Sequence, residues 1–468
     1  MRAICFHLMQ NEWRYWRYAK TPTWLLVGLF MLWITAAFST HHHWQEHEST
    51  LNIVNQQSMR DWQSQPERHP HRVSHFGDFV AKPIHAITMI EPGIIDQVGH
   101  LVYLEAHRLN SANFNPATEA TSLGRFPSIT PAMVVQWWMP LFIIMMGNAC
   151  ITREKFSGSL EFMRGNGTSS LDIALGKWLS LFLPFFALII VQALLALFLS
   201  WGSEEITLRL ASLLLAECIY IAAWCLLVVG VSWLCRQQHT ALLSLLLIWI
   251  LVCIVFPRGL ANIAQALHPT QPRAVAEFNA EQKLKKIGDS HNPNDPHFAE
   301  FKSQTLKKYA VKRIEDLPVN YHGLLMQEGE RLTTQVYREQ QFFHAQQLKK
   351  QNDTIQKWLW LSPALALQYI HMASSGNDIA HHQAFLQQAE TRRFALISYL
   401  NQIHTQHVQQ QNDKNIRLST DFWRNAPRPP VTLAPMQVSF STVLLAISVL
   451  LAWLLLPAYG LAKWLKRR

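Results

Sequence analysis

Cysteine, charge and nucleotide-binding loops are all scarce in this sequence, and each shortage narrows what the chain can be. Only 6 cysteines occur in 468 residues. Cys5, Cys150, Cys218, Cys225, Cys235 and Cys253 lie in or beside strongly apolar stretches, and none falls in the two long polar segments. Those segments are therefore expected to fold without disulfides, and no Cys-x-x-Cys or Cys/His zinc spacing is present. The phosphate-cradling pattern Gly-x-x-x-x-Gly-Lys-Ser/Thr is missing, so nucleotide chemistry is expected from another chain. No His-Glu-x-x-His helix occurs either. No hydroxyl or thiol nucleophile stands in a recognisable motif beside His381 and His382, with Glu390 and Arg392 nearby, so packing is the favoured reading of that group. Charged residues make up 15% of the chain, yet the formal net charge is +10. No basic block is interleaved with aromatics as a nucleic-acid groove requires, so no nucleic-acid partner is expected. A basic membrane protein accounts for the excess. The charged N-terminal stretch runs through Lys20, and the apolar run Trp24 to Phe38 ends in Ser39, Thr40 and histidines without a small-x-small cleavage site, so no cleavable signal is read.

What is abundant is apolar sequence, 49% of residues, gathered into clumps. A helix needs roughly 20 apolar residues to cross about 30 Å of hydrocarbon. Six stretches qualify, at about 22–39, 132–151, 178–200, 208–234, 240–256 and 438–461. The expected fold class is an all-α polytopic membrane protein whose mainly helical extracytoplasmic domain is built from two insertions, 40–131 and 257–437.

Orientation follows from short flanks, because Lys and Arg resist translocation while long domains cross regardless of charge. Segment 1–21 carries Arg2, Arg14, Arg17 and Lys20; segment 152–177 carries Arg153, Lys155, Arg164 and Lys177; Arg236 separates spans four and five; and the tail 462–468 carries Lys463, Lys466, Arg467 and Arg468. All are assigned to the cytoplasm, with both termini inside. Glu204 and Glu205, between spans three and four, suit the outside.

The second insertion reads as helical. Apolar positions recur at helical spacing in 273–287, 297–314, 321–360 and 378–409, as in Leu325, Leu332, Val336 and Phe343. Breaks fall near Asn292 to Pro296, Ser362-Pro363 and Ser374 to Asn377. Prolines 427, 429, 430 and 435 mark an extended strap back to the last span. The first insertion, richer in Pro, Gly and β-branched residues, is expected to be mixed and partly irregular.

The connection between spans two and three, Ile151 to Gly167 and on from Ser169 to Lys177, is the most informative stretch. A short helix with Phe156, Leu160 and Met163 on one side and Arg153, Glu161 and Arg164 on the other can seat apolar residues in a partner's groove while its charges fix orientation. An amphipathic linker lying at the lipid interface fits the local pattern equally. Gly165 and Gly167 supply a left-handed or flexible turn, and Ser169 and Ser170 can cap the following helix.

This connection resembles the signature of type-2 ABC exporter permeases, in which an acidic residue, a Gly-Ser pair and a hydrophobic-charged run leave the membrane and a Gly-Lys pair opens the next span. Glu154, Gly158, Ser159, Leu160, Glu161, Gly176 and Lys177 occupy the matching places. His75 to Pro83, Glu91 to Gly93, Gly99 and Leu104 to Asn110, with Leu361 to Gln368, Asn377 to Phe385 and Ala389 to Arg392, resemble a subgroup of these permeases that carries a large uncharacterised extracytoplasmic domain. The membrane subunit of the nitrous-oxide reductase maturation transporter is a more distant likeness. The resemblance implies a permease subunit in a bacterial inner membrane that couples ATP hydrolysis by a separate ATPase to translocation, with export the expected direction, or to force on a periplasmic partner. It also implies an ABC ATPase subunit in two copies, with ATP and Mg held there, and a second permease, identical or similar. This chain would bind no cofactor itself. In the family the connection forms a coupling helix, which assigns ATPase coupling to Arg153, Glu154, Phe156, Gly158, Leu160, Glu161, Met163, Arg164 and Lys177. The competing reading is a membrane-anchored sensory or structural protein with a ligand-binding extracytoplasmic domain and no ATPase.

Two further groups carry expectations. Glu217 stands deep in span four, where an ionised group is costly unless paired or protonated, and Gln192 on span three reaches a similar depth, so the two are expected to hydrogen-bond. That bond would either line a transport path or simply hold two helices together. His41, His42, His43 and His47 offer imidazoles just outside span one and are the weak candidates for a metal site, against the plainer reading of a solvated histidine-rich face among 22 histidines. Pro140 and Pro184 are read as kinks, and Trp137, Trp138 and Trp201 as interfacial anchors.

Overall fold

Among the described residues six helices are long and apolar enough to cross a bilayer, and the chain is an all-α polytopic membrane protein. The computed structural model describes residues 2–107, 129–199, 206–288, 292 and 295–466. Trp201, Glu204, Glu205, Arg467, Arg468 and positions 108–110 of the first-insertion motif lie outside the described residues.

In chain order the elements are α1 (Arg2–Ala19), α2 (Thr21–Gln63), α3 (Pro70–Ser74), β1 (Asp78–Ala81), β2 (Leu101–Leu104), α4 (Met139–Gly147), α5 (Thr152–Phe156), α6 (Ser159–Gly165), α7 (Ser170–Leu199), α8 (Ile206–Leu234), α9 (Gln238–Ile250), α10 (Phe256–Leu267), α11 (Arg273–Ile287), α12 (Pro296–Lys308), α13 (Tyr321–Lys357), α14 (Pro363–Ser375), α15 (Ile379–His407) and α16 (Phe440–Lys466). Two spans are interrupted by π-helical turns, Val134–Trp138 leading into α4 and Leu251–Val255 joining α9 to α10. Pro140 sits just after the first of these turns.

One end of the bundle gathers α1, α5, α6, the α8–α9 connection and the end of α16. There Trp13 Nε1 donates to Ser180 O (3.0 Å), Lys155 Nζ donates to Cys235 O (2.8 Å), and Leu461 sits beside Gly230. Arg14, Arg17, Lys20, Arg153, Lys155, Arg164, Lys177, Arg236, Lys463 and Lys466 make this the basic end. At the other end α2 does not stop near Ser39 but runs on unbroken to Gln63, because the residues after Thr40 hold neither Pro nor Gly until the end of the helix. The first insertion then continues through α3 and an antiparallel hairpin pairing Val80 with Val102. Val80, Val102 and Leu104 pack on Phe385 and Ala389 of α15.

The second insertion departs from expectation in one important way. The breaks at Ser362-Pro363 and Ser374 to Asn377 bracket α14, and α14 is not part of an exterior domain: it enters the bundle core and packs against α8 and α16. Ser362 Oγ accepts from Leu365 N (3.0 Å) and donates to Val252 O (2.6 Å), while Trp453 Nε1 donates to Trp360 O (2.8 Å). Val252 and Trp453 lie midway along their helical spans, so α14 starts at mid-bundle and climbs back out. Its sequence explains the position. None of its 13 residues is charged, and Ala364, Ala366, Ala373 and Ser374 are buried small residues that allow close helix contact. Gly376, with φ of 71°, ends it, and Asn377 N donates to Met372 O (2.9 Å), closing a Schellman turn.

The exit of α14 is held by the first insertion. Lys82 Nζ donates to Gly376 O (2.9 Å) and Asn377 Oδ1 (3.0 Å), Ile94 N donates to Asn377 O (3.0 Å), and Arg209 of α8 donates to Ala373 O (3.3 Å). Two cations at a helix C-terminus complement its dipole. Gly93 has φ of 63°, and a Cβ there would lie 2.4 Å from Asn377 O, so only glycine permits this approach. Elsewhere in the second insertion, the Leu325, Leu332, Val336 and Phe343 stripe is only partly a core face. Val336 is buried, Phe343 is exposed, and α13 instead buries Met326, Gly329, Glu330 and Thr334.

Candidate functional site at the basic end and inside the bundle

The connection after α4 is an elbow of two short helices, not one amphipathic helix. Gly158 breaks it with a left-handed φ of 71°. The break turns Phe156 and Leu160 to opposite environments: Phe156 is 96% exposed, while Leu160 is buried and Met163 packs against the core. Phe162, which the helical pattern does not single out, is 73% exposed and joins Phe156 as the apolar projection of this end. Glu161 and Arg164 are exposed on α6. Gly167 adopts a φ of 83°, and Asp172 N donates to Ser169 Oγ (3.0 Å), so Ser169 caps α7.

Arg153, Glu154 and Lys177 do not face outward. They form an ionic cluster with Glu12 of α1, in which Glu12 and Lys177 are buried and Arg153 and Glu154 half-buried. Arg153 Nη2 donates to both Glu12 oxygens (2.9 and 2.8 Å), Lys177 Nζ donates to Glu12 and to Glu154 Oε1 (2.6 Å), and Ser159 donates to Glu154. The guanidinium of Arg153 also covers the Tyr15 ring at 3.7 Å. Two carboxylates and two cations compensate each other, so the elbow is tied to α1 and to the start of α7. A push on Phe156 or Phe162 reaches both elements through groups that cannot separate without leaving the buried Glu12 or Lys177 unpaired.

Deeper in the bundle the expected bond is present: Gln192 Nε2 donates to Glu217 Oε1 (2.8 Å) and Oε2 (3.1 Å). Gln192 Oε1 in turn accepts from Trp33 Nε1 (3.0 Å). The partner that sequence reasoning misses is His371 of α14, whose Nε2 lies 3.0 Å from Glu217 Oε1, close enough for an ion pair though poorly aligned as a hydrogen bond. Gln136 Nε2 donates to His371 Nδ1 (2.8 Å), which leaves the ring proton on Nε2, facing Glu217. Tyr220 donates to Gln136 O. Glu217 and His371 are fully buried, so five elements meet in one polar layer. The contact of this carboxyl with the imidazole clasps α8 to α14. The signal for His371 lies in the chargeless run between Ser362-Pro363 and Gly376, whose length of 13 residues suits a re-entrant helix better than a span.

The expected histidine group does not converge. His41 Nδ1 meets Met89 Sδ (3.1 Å), and His42 and His43 face Glu46 at 3.4 and 3.7 Å in the open. The side chain of His47 lies outside what is described. His381 does acquire a hydroxyl neighbour, Ser439, but both it and His381 Nδ1 (2.7 Å) bond to Asp378, so the serine is not placed against a free base. Among the described residues, sets of three ligand types gather elsewhere, at His71, His75 and His107 and at His69, His404 and Asp413.

A family described as a domain of unknown function (DUF3526) matches residues 275–428, which include α13, α14 and α15 but none of the six spans. No curated protein and no solved structure matches the chain.

Proposed function

We propose that this chain is a permease subunit of an ATP-driven transporter, and that the α5–α6 elbow is the docking point of a separate ATPase on the cytoplasmic side. The observation that carries the reading is the pairing of exposed Phe156 and Phe162 with the ionic cluster of Glu12, Arg153, Glu154 and Lys177 beneath them. Apolar side chains on a short helical elbow suit a groove in a protein partner, and the rigid ionic base suits transmission of force. The resemblance of Glu154 to Lys177 to the exporter-permease signature supports the same reading. Basic residues collected at one end of the bundle support a cytoplasmic location for that end and both termini, leaving α11–α13 and α15 periplasmic in a bacterial inner membrane.

In this account ATP-driven closure of two ATPase copies moves the elbow, α1 and α7 together, and the motion reaches α14 through the Glu217 and His371 contact. A second permease, identical or similar, completes the particle. Gentle solubilisation and purification of the tagged chain tests this. A nucleotide-binding subunit should co-purify and hydrolyse ATP, and Phe156→Ala with Phe162→Ala should release it. A chain that purifies with no such subunit after mild extraction and cross-linking would instead favour a sensory or structural role.

A further inference from the structure

We propose that His71, His75 and His107 form a binding site for a first-row divalent transition metal of the zinc type, in the region built from the two insertions. One ring nitrogen from each lies within 4.8 Å of the others. A tetrahedral set with Zn–N of about 2.0–2.1 Å needs nitrogens roughly 3.3 Å apart, so the rings must close by at most about 1.5 Å. His75 is exposed, with room to make that adjustment.

The local fold explains the convergence. His71 and His75 are four residues apart on α3 and its C-cap, which brings their rings edge to face on one side (centroids 4.9 Å). α3 is fixed by Val73, which packs with Trp62, Leu396, Leu400 and Trp423. His107 follows β2 with a left-handed φ of 58°, a strained setting for a residue with a Cβ. Glu330 holds it there, accepting from His107 N (3.1 Å) and lying 3.1 Å from Nδ1.

Two features separate this group from an ordinary histidine surface. Carboxylates stand beside two of the rings, Glu330 at His107 Nδ1 (3.1 Å) and Glu105 within ion-pair range of His75 Nδ1 (3.7 Å), and a carboxylate behind an imidazole orients it as a metal ligand. Nδ1 of His71 is buried without a hydrogen-bond partner. In the neighbouring His69, His404 and Asp413 group, the carboxylate oxygen that would serve as a ligand already accepts from Asn320 Nδ2 (2.6 Å) and bonds His404 Nε2 (2.7 Å). Three imidazoles leave a fourth position for water or a ligand atom from a passing substrate or protein.

The test is titration of the full-length, chelator-stripped protein in detergent with Co(II), then Zn(II). We expect one equivalent of Co(II) with the visible absorption of a four-coordinate site, displaced by Zn(II). Affinity should fall at least tenfold in His75→Gln and in His107→Gln, and stay unchanged when His41, His42 and His43 are all replaced by Gln. His75 is exposed, so its replacement keeps the test valid if a His71 variant fails to fold. No uptake, uptake that survives loss of all three proposed ligands, or uptake abolished only by His69→Gln and His404→Gln would overturn the proposal.

Discussion

At the basic end two carboxylates face two cations, whereas in the polar layer one carboxylate faces amides and an imidazole. The first set is balanced by fixed charges and has no easy alternative state. The second has no fixed cation: its carboxyl meets an amide and an imidazole. The contrast separates a charge-balanced rivet from a clasp held by single polar contacts. A third cluster, Glu330, Arg393 and Glu390, follows the first pattern outside the bundle: Arg393 donates to Glu330, to both Glu390 oxygens (2.9 Å each) and to Thr334 (2.8 Å).

The largest expected effect comes from breaking the rivet. Lys177→Met leaves Glu12 and Glu154 sharing Arg153 alone, and should lower stability by about 3–5 kcal/mol, read as a drop in Tm of the purified protein. A loss below about 1 kcal/mol, on the same order as a surface pair, would erase the distinction. The Glu330 cluster should show its character through pH. Burial works against the Glu330 charge, but His107 and Arg393 outweigh it and hold the carboxyl at about 2. A carboxyl depressed in the folded state contributes stability above its unfolded value, from 4.5 upward, and loses it as pH falls toward about 2. The contribution is on the order of 3 kcal/mol. Replacing Glu330 by Gln should flatten that stretch of the pH–stability curve, and an unchanged slope would assign the acid lability elsewhere.

Gly93→Ala tests how α14 is anchored. The new Cβ meets the Asn377 carbonyl, so destabilisation beyond about 1 kcal/mol is expected, together with faster proteolysis near the exit of α14. Glu217→Gln should change stability least among the buried sites, within about 1 kcal/mol, since an amide can keep the Gln192 bond. Its effect should fall on transport-coupled ATP hydrolysis. Normal coupling in that variant would make the layer a helix clasp and nothing more.

Much of this architecture is legible in the amino-acid sequence. The six apolar stretches follow from composition alone, α11 occupies the run expected at 273–287, and the Glu217 to Gln192 bond follows from counting rise along two helices. The re-entrant path of α14 is not legible there, because a chargeless helix within a polar region reads equally as the core of a separate domain. Nor is the turn at Gly158. A helical wheel places Phe156 beside Leu160, and only a left-handed residue between them sends one to the surface and the other to the core. The grouping of His71, His75 and His107 is hidden for a different reason: two share a helix, but the third is brought in by the β-hairpin, and pairing of that kind leaves no local pattern.

The most direct test of the central claim places a photo-cross-linking residue at position 156 in native membranes. The account predicts a covalent product with a nucleotide-binding subunit, lost when that subunit is absent. Labelling of the same position by a membrane-impermeant reagent from outside the cell, or cross-links to lipid alone, would contradict it.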